Sequence, residues 1–382
     1  MKMARKICIF CSHYFPYLGG VERYTYHLAK ALMERGDKVV IVTSNDMHLE
    51  TFTFMEGIPV FRMPCFNLLD GRYPVSKPDR VFWSIHRRLK QVGFDLVIIQ
   101  TRFYLHSLYG IAFASRIKAK SIVLDHGTSH MTVGNRFADT VGGWFEHALT
   151  AVERMGCRDF YGVSKACCRW LAHFHIRAKG TLYNAVDAEG IEQMLTRPVR
   201  NFREEYGLQP EDIVVTYTGR LVKEKGILNL IKAVKDIPEE KRVFLMIAGD
   251  GEEWDAVCAK RSERICPLGR LSFEEVISLL GQTDIYCLPT DYPEGFPTSV
   301  LEAAAAGCYV VTTRRGGSQE LILNEGYGMI MRDNRPETIR KALLSVLDDV
   351  EGRKAAAQRA KERLLKNFTW ERTAGHIHHL GL

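Results

Sequence analysis

The stretch DYPEGFPTSVLEAAAAG, residues 291–307, places Glu294 in a turn between two prolines and Glu302 in an alanine-rich run, with seven residues between them. Proline holds φ near the helical value and has no N–H to leave unpaired, so Pro297 with Thr298 and Ser299 predicts a helix start. The helix then runs to about Ala306 and stops at Gly307. Immediately upstream, DIYCLPT (residues 284–290) reads as a short buried strand. A loop between a strand end and a helix start is where open α/β sheets bind ligands, and the free N–H groups of the helix attract phosphate. Carboxylates repel phosphate, so hydroxyls are the partners expected for Glu294 and Glu302. A ligand with phosphates in the middle and hydroxyls at both ends is a nucleotide sugar. Spacing alone fits equally well a solvated helix glutamate beside an unrelated loop glutamate.

Working outward from this segment, strand-like and helix-like runs alternate along the chain. KICIFCS, DKVVIVTSN, FDLVIIQ and KSIVLDHG read as strands of a first domain, with ERYTYHLAKALMERG as a helix between the first two. DIVVTYTGRL, RVFLMIAGDG and DIYCLPT repeat the pattern in the second half. This alternation predicts an α/β protein of two doubly wound domains facing across a cleft, and 382 residues exceed what one core usually supports. The boundary is expected near residues 184–190. The tail from Arg335 to Ile377 reads as helical throughout.

Composition excludes several classes. Apolar residues make up 46% and charged residues 25% of the chain, and no apolar run is long enough to span a membrane. Ten scattered cysteines suit a reducing compartment. Cys8 and Cys11 form a C-x-x-C, but inside an apolar strand, where buried structural thiols are expected; Cys167 and Cys168 have no second pair at metal spacing. No metal site is read. The net charge of +7 is uneven: residues 1–190 hold 25 Lys and Arg against 16 Asp and Glu, residues 191–382 hold 27 against 29. The basic excess gathers in residues 77–91, KPDRVFWSIHRRLKQ, an amphipathic helix that either seats on an anionic membrane surface or packs on its own domain. No nucleic-acid module is present. The expectation is a cytoplasmic protein, with a peripheral position on the inner membrane face as the option that the basic helix opens.

Three further segments carry chemistry. PYLGGVERY turns on Gly19 and Gly20 into a helix, where paired glycines let backbone N–H groups approach phosphate. VLDHG sets His126 just past a strand end. YTGRLVKEKG supplies Gly219 and Arg220 at another strand end and Lys225 one loop later, two cations able to neutralise a diphosphate without a metal.

Taken in order, LGGVE, DHG, YNAVD, TGRLVKEKG, IAGDGEE, PLGRLSFEEV, PEGFPTSVLEAAAAG and RRGGSQEL resemble the retaining glycosyltransferases of family 4, which have the GT-B fold of two Rossmann-like domains. The resemblance implies an N-terminal acceptor domain (residues 1–186), a nucleotide-sugar domain (187–365) and a last helix (366–382) that crosses back to the first domain. It implies that Glu302 holds the donor ribose and Glu294 the transferred sugar, that Arg220 and Lys225 grip the diphosphate, and that Gly20 meets it through its backbone. His126 stands beside the sugar at the reaction centre, and Gly219, Gly295, Phe296 and the amides through Val300 and Leu301 complete the donor pocket. The implied activity is metal-independent transfer, with retention, from a nucleotide-diphosphate sugar to a hydroxyl of a glycan or lipid-linked acceptor, with UDP the commoner donor nucleotide and GDP next. The implied setting is cell-surface polysaccharide or glycolipid synthesis, with no cofactor. A GT-B sugar-nucleotide epimerase or a non-catalytic sugar-nucleotide-binding protein are the alternatives; a phosphorylase lacks a recognisable pyridoxal lysine. Two positions depart from the common pattern: Pro297 and Ala185 stand where many relatives have Gly. Asn184 and Asp187 are accordingly read as hinge structure.

Overall fold

The computed structural model describes residues 4–17, 19–132 and 134–380. It divides into two compact units. One takes the chain up to Asn184 and again from Trp370 onward; the other is Ala185–Thr369.

The first unit contains β1 (Lys6–Phe10), β2 (Lys38–Ser44), β3 (Phe52–Met55), β4 (Ile58–Met63), β5 (Cys65–Leu68), β6 (Tyr73–Ser76), β7 (Leu96–Gln100), β8 (Lys120–Asp125), β9 (Phe160–Gly162) and β10 (Gly180–Thr181). Eight of these form one sheet in the order β10-β9-β8-β7-β1-β2-β4-β3, and β5 pairs with β6 in a separate hairpin. All pairs of the large sheet are parallel except β3 with β4. The reason lies in the side chains. β7 is buried along its whole length and β1 from Ile7 onward, so these strands need helices on both faces. The order reverses between β1 and β7, and there the loops after the two strands diverge.

The second unit contains β11 (Ile213–Thr218), β12 (Val243–Ala248), β13 (Ile265–Gly269), β14 (Ile285–Leu288), β15 (Tyr309–Thr313) and β16 (Met329–Met331). They form one parallel sheet in the order β13-β12-β11-β14-β15-β16, whose switch point lies between β11 and β14.

Three local expectations are corrected. Pro297 is not in the first helical turn: its ψ of 115° makes it the residue before the helix Thr298–Ala305, where a fixed φ of −59° costs nothing and no N–H is missed. Gly307 does end that segment in the left-handed conformation, at φ 89°. Cys11 falls just beyond β1 and is buried like Cys8. The tail is three helices, Pro336–Leu347, Val350–Asn367 and Trp370–His379, interrupted where Asp349 and Thr369 stand; the Asp349 carboxylate accepts from Gly352 N and starts a new helix. In the same way Asp187 accepts from Gly190 N and caps Ala188–Thr196.

The basic helix Arg80–Val92 buries Phe82, Ile85 and Leu89, and its Arg88 guanidinium lies over the rings of Phe52 and Phe61. Its apolar face is therefore largely occupied by its own unit. A different helix, Arg136–Gly156, buries Glu146, Leu149, Thr150 and Glu153 and leaves Phe137, Val141, Trp144, Val152 and Met155 exposed. At 100° per residue these five fall on one stripe. No helix among the described residues is long and apolar enough to cross a membrane.

Candidate active site

In the second unit, the switch point gathers nine of the expected residues. β11 is followed by Gly219, at φ 146°, with its N–H donating to Ala248 O. The turn Lys223–Lys225 follows and closes on Gly226 at φ 74°. A Cβ on Gly226 would stand 2.2 Å from Pro289 O, so only glycine lets this turn lie against the end of β14. Asp291 N and Tyr292 N both donate to Glu224 O, at 2.7 and 3.1 Å, which ties the Glu294 loop to the lysine turn.

The outcome is an ion pair between Lys225 Nζ and Glu294 Oε1, both largely buried. The ring of Tyr292 lies 5.4 Å from Lys225 Nζ and 5.4 Å from the Arg220 guanidinium, so one aromatic face steadies both cations. Thr290 Oγ1 reaches Glu294 Oε1 at 3.5 Å and accepts from Tyr292 N at 3.0 Å.

Behind this loop, Gly316 and Gly317 leave no room for side chains: a Cβ on the first would meet Glu294 O and Gly295 O at 2.6 Å, and one on the second the Phe296 ring at 2.5 Å. Gly317 N donates to Gly295 O at 3.0 Å. Phe296 is thus buried, edge-on to Phe368 at 5.2 Å. In the helix Thr298–Ala305, Val300, Leu301 and Glu302 are buried, so Glu302 has little room to turn to bulk water. Tyr286, on β14, donates to Thr218 O at 3.2 Å and hydrogen-bonds Ser299; burial is the main force pushing its phenol up, and the charges of Glu302 and Glu294 add to it. It links the end of β11 to the start of the helix.

In the first unit, Gly19 precedes the helix Gly20–Glu34 with extended backbone, φ −142°. Neither Gly19 nor Gly20 has a positive φ, so the pair is not needed for the turn itself. A Cβ on Gly19 would meet Glu22 Oε2 at 2.4 Å, so that carboxylate end would have to shift, whereas Gly20 borders open space. Burial lifts the Glu22 carboxyl to about 7.

His126 follows β8. Its Nε2 is 2.7 Å from Gln100 Oε1, at the end of β7, and its ring meets Tyr24 edge to face at 4.8 Å. Desolvation lowers its pKa to about 3, so the imidazole is neutral at physiological pH. Next to it, buried Asp125 lies 3.4 Å from Arg102 Nε, and Arg102 Nη1 lies 2.6 Å from Glu146 Oε1. Burial raises the Asp125 carboxyl, and Arg102 opposes that rise.

The structure therefore brings Gly219, Arg220, Lys225, Glu294, Gly295, Phe296, Val300, Leu301 and Glu302 to one edge of the second sheet, and Gly20 and His126 to the ends of β1 and β8 in the first. The sequence reading missed Tyr286, Tyr292 and Gln100. Tyr286 looks like any core strand residue, and nothing local in the sequence distinguishes the other two.

Two family models match consecutive parts of the chain: one described as Glycosyltransferase Family 4, over residues 18–189, and one described as Glycosyl transferases group 1, over residues 198–363. The chain belongs to glycosyltransferase family 4. This family 4 glycosyltransferase is 25% identical over 381 residues to an uncharacterized glycosyltransferase of Methanocaldococcus jannaschii, covering 96% of each chain. It is 27% identical to the glycogen synthase of Mycobacterium tuberculosis, over 94% of this chain and 89% of that one. Its fold is similar to that of Anabaena HepE, solved in complex with UDP, with a TM-score of 0.76 at 17% identity over 98% of both chains. The fold of this glycosyltransferase is GT-B, with two Rossmann-like units.

Proposed function

We propose that this glycosyltransferase takes a hexose-type sugar from a nucleotide-diphosphate donor, a UDP-sugar, and transfers it with retention to a hydroxyl of a glycan or lipid-linked acceptor. The observation that carries the reading is the convergence of Arg220, Lys225, Glu294 and Glu302 around the β11–β14 switch point. Two cations beside the Gly219 turn suit a diphosphate, and each charge-assisted hydrogen bond to it contributes about 1.5–3 kcal/mol. The buried Glu302 suits the two ribose hydroxyls. Glu294, held by Lys225, suits hydroxyls of the transferred sugar.

In this mechanism the sugar–phosphate bond breaks as negative charge builds on the leaving diphosphate, and Arg220 and Lys225 stabilise that charge without a metal ion. The acceptor hydroxyl enters on the face from which the diphosphate departs and gives its proton to a departing phosphate oxygen. Glu294 positions the sugar and is not the nucleophile. Neutral His126 offers a hydrogen-bonding edge to the sugar.

A lipid-linked acceptor is favoured by the helix Arg136–Gly156, whose exposed stripe of Phe137, Trp144 and Met155 is 80, 78 and 86% accessible. Such a stripe suits contact with a lipid interface. The test of the donor reading is thermal stabilisation by UDP, GDP, ADP and their sugars without divalent metal, in the parent and in Glu302→Ala. Stabilisation by one nucleotide series, lost in the variant, supports the reading, and no stabilisation by any of them overturns it. Anomeric configuration of the product, read by NMR, tests retention.

A further inference from the structure

We propose that His130, His147 and His173 form a binding site for one divalent transition-metal ion of the zinc class, apart from the residues assigned to sugar transfer. The three come from different elements of the first unit: the loop after β8, the helix Arg136–Gly156 and the short turn Ala172–Phe174. Their imidazoles converge through the same atom. His130 Nε2 is 3.0 Å from His173 Nε2, and His147 Nε2 is 3.1 Å from His173 Nε2. One ligand atom from each of the three lies within 4.8 Å of the others.

Protons alone serve this arrangement poorly. Glu146 Oε2 is 2.6 Å from His130 Nδ1, so that nitrogen donates to the carboxylate and Nε2 is the one turned to the other two rings. A proton on His173 Nε2 then has two nitrogens to satisfy, and a proton on His147 Nε2 meets another N–H. A single cation takes all three lone pairs. Tetrahedral zinc with Zn–N bonds of roughly 2.0–2.1 Å needs N···N separations of about 3.3–3.4 Å, so the two short contacts to His173 open by a few tenths of an ångström and the His130–His147 pair, within 4.8 Å, settles to the same spacing.

The surroundings are those of a built metal site. A ligating histidine that donates its other N–H to a carboxylate is the usual orienting arrangement. Here Glu146 is buried and is itself fixed by Arg102. Trp170 stacks on His173 at 4.8 Å and Phe174 lies 4.6 Å from His147, giving the imidazoles apolar walls. Three imidazoles and no thiolate or hard carboxylate donor select zinc, cobalt, nickel or copper over magnesium or calcium. Three protein ligands leave a fourth position for water. Bound there, the ion pins the loop that leaves His126 to the helix Arg136–Gly156 and the turn Ala172–Phe174, which gives it a structural role in holding the β8 end of the site.

The test uses the full chain, stripped with chelator and titrated with Zn²⁺, with Co²⁺ as the visible probe of tetrahedral coordination. The C-terminal histidines are a built-in competitor, so H147A/H173A is compared with H376A/H379A. The expected result is one equivalent of Zn²⁺ bound by the parent and by H376A/H379A, a rise in Tm on binding, and affinity lower on the order of 100-fold or more in H147A/H173A. In chelator, H147A/H173A should unfold at about the same temperature as the parent, which separates ligand loss from misfolding. Equal Zn²⁺ affinity in H147A/H173A, loss confined to H376A/H379A, or no stoichiometric binding by the parent overturns the proposal.

Discussion

His126 Nε2 donates to Gln100 Oε1 across 2.7 Å, from the end of β8 to the end of β7, and in the neutral ring this makes Nδ1 the lone-pair edge. With burial holding the pKa near 3, that edge is an acceptor throughout the physiological range. Gln100→Leu removes the lock while preserving bulk. The expected result is a fall in kcat of about tenfold, near 1.4 kcal/mol, with donor affinity unchanged. Steady-state kinetics beside nucleotide titration checks it; an unchanged kcat sinks the role given to the contact.

On the proposed assignment, Lys225→Ala removes a diphosphate partner and also the ion-pair partner of Glu294. Loss of one charge-assisted bond of about 1.5–3 kcal/mol corresponds to roughly 10–100-fold weaker UDP binding. Arg220→Ala is expected to cost less, because Arg220 is exposed and its charge is screened. Calorimetry at two salt concentrations distinguishes the two. Equal affinities for parent and Lys225→Ala would contradict the assignment.

Glu22 makes a pH prediction. Its folded pKa of about 7 exceeds the ordinary carboxyl value of 4.5, so the native state holds a proton that the unfolded chain has lost. Stability from this group is fully present below about pH 4.5 and is lost as the pH rises to about 7. Glu22→Gln should flatten that part of the stability profile, measured by urea unfolding between pH 4.5 and 8. An identical slope in the variant would show that other groups set it.

Gly226 and Gly307 both have positive φ, but only Gly226 faces backbone across a gap with no space for Cβ. Gly307→Ala should cost about 1 kcal/mol, the ordinary left-handed penalty. Gly226→Ala should cost clearly more and also weaken UDP binding, because Pro289 O must move and the Lys225 turn moves with it. Chemical denaturation of both variants makes the comparison.

Trp370 packs edge-on to Tyr24 at 5.0 Å and parallel to His27 at 5.5 Å, and Tyr24 in turn abuts His126. Trp370→Ala is expected to destabilise by about 3–5 kcal/mol. Thermal unfolding followed by aromatic circular dichroism should report the loss first in the first unit.

Much of this architecture is legible in the chain because parallel strands buried on both faces are continuous apolar runs, and such runs as LVIIQ and VFLMIA have no other reading. The helix after Pro297 is equally plain, since alanine at successive positions leaves few alternatives, although its first residue is Thr298. The limits appear where partners are distant. Gln100 and His126 meet across two strands, Tyr292 gains its place from a turn near residue 224, and His130, His147 and His173 share no spacing rule. The apolar residues of 77–91 looked available because sequence shows amphipathicity but not which neighbour covers it. The solvent-facing stripe of Arg136–Gly156 went unnoticed for the same reason.

The division of the chain also sets an order of assembly at the ribosome. Ala185–Thr369 is one uninterrupted segment, whereas the unit that begins at the N-terminus is completed by the helix Trp370–His379, bound through Thr373 Oγ1 to Tyr183 O and by Trp370 to Tyr24. During synthesis the second unit holds everything it needs once Thr369 has emerged. The first unit, though begun earlier, must wait for Trp370–His379, so a nascent chain cut before Trp370 carries a finished second sheet and leaves Tyr24, beside His126, without its indole cover.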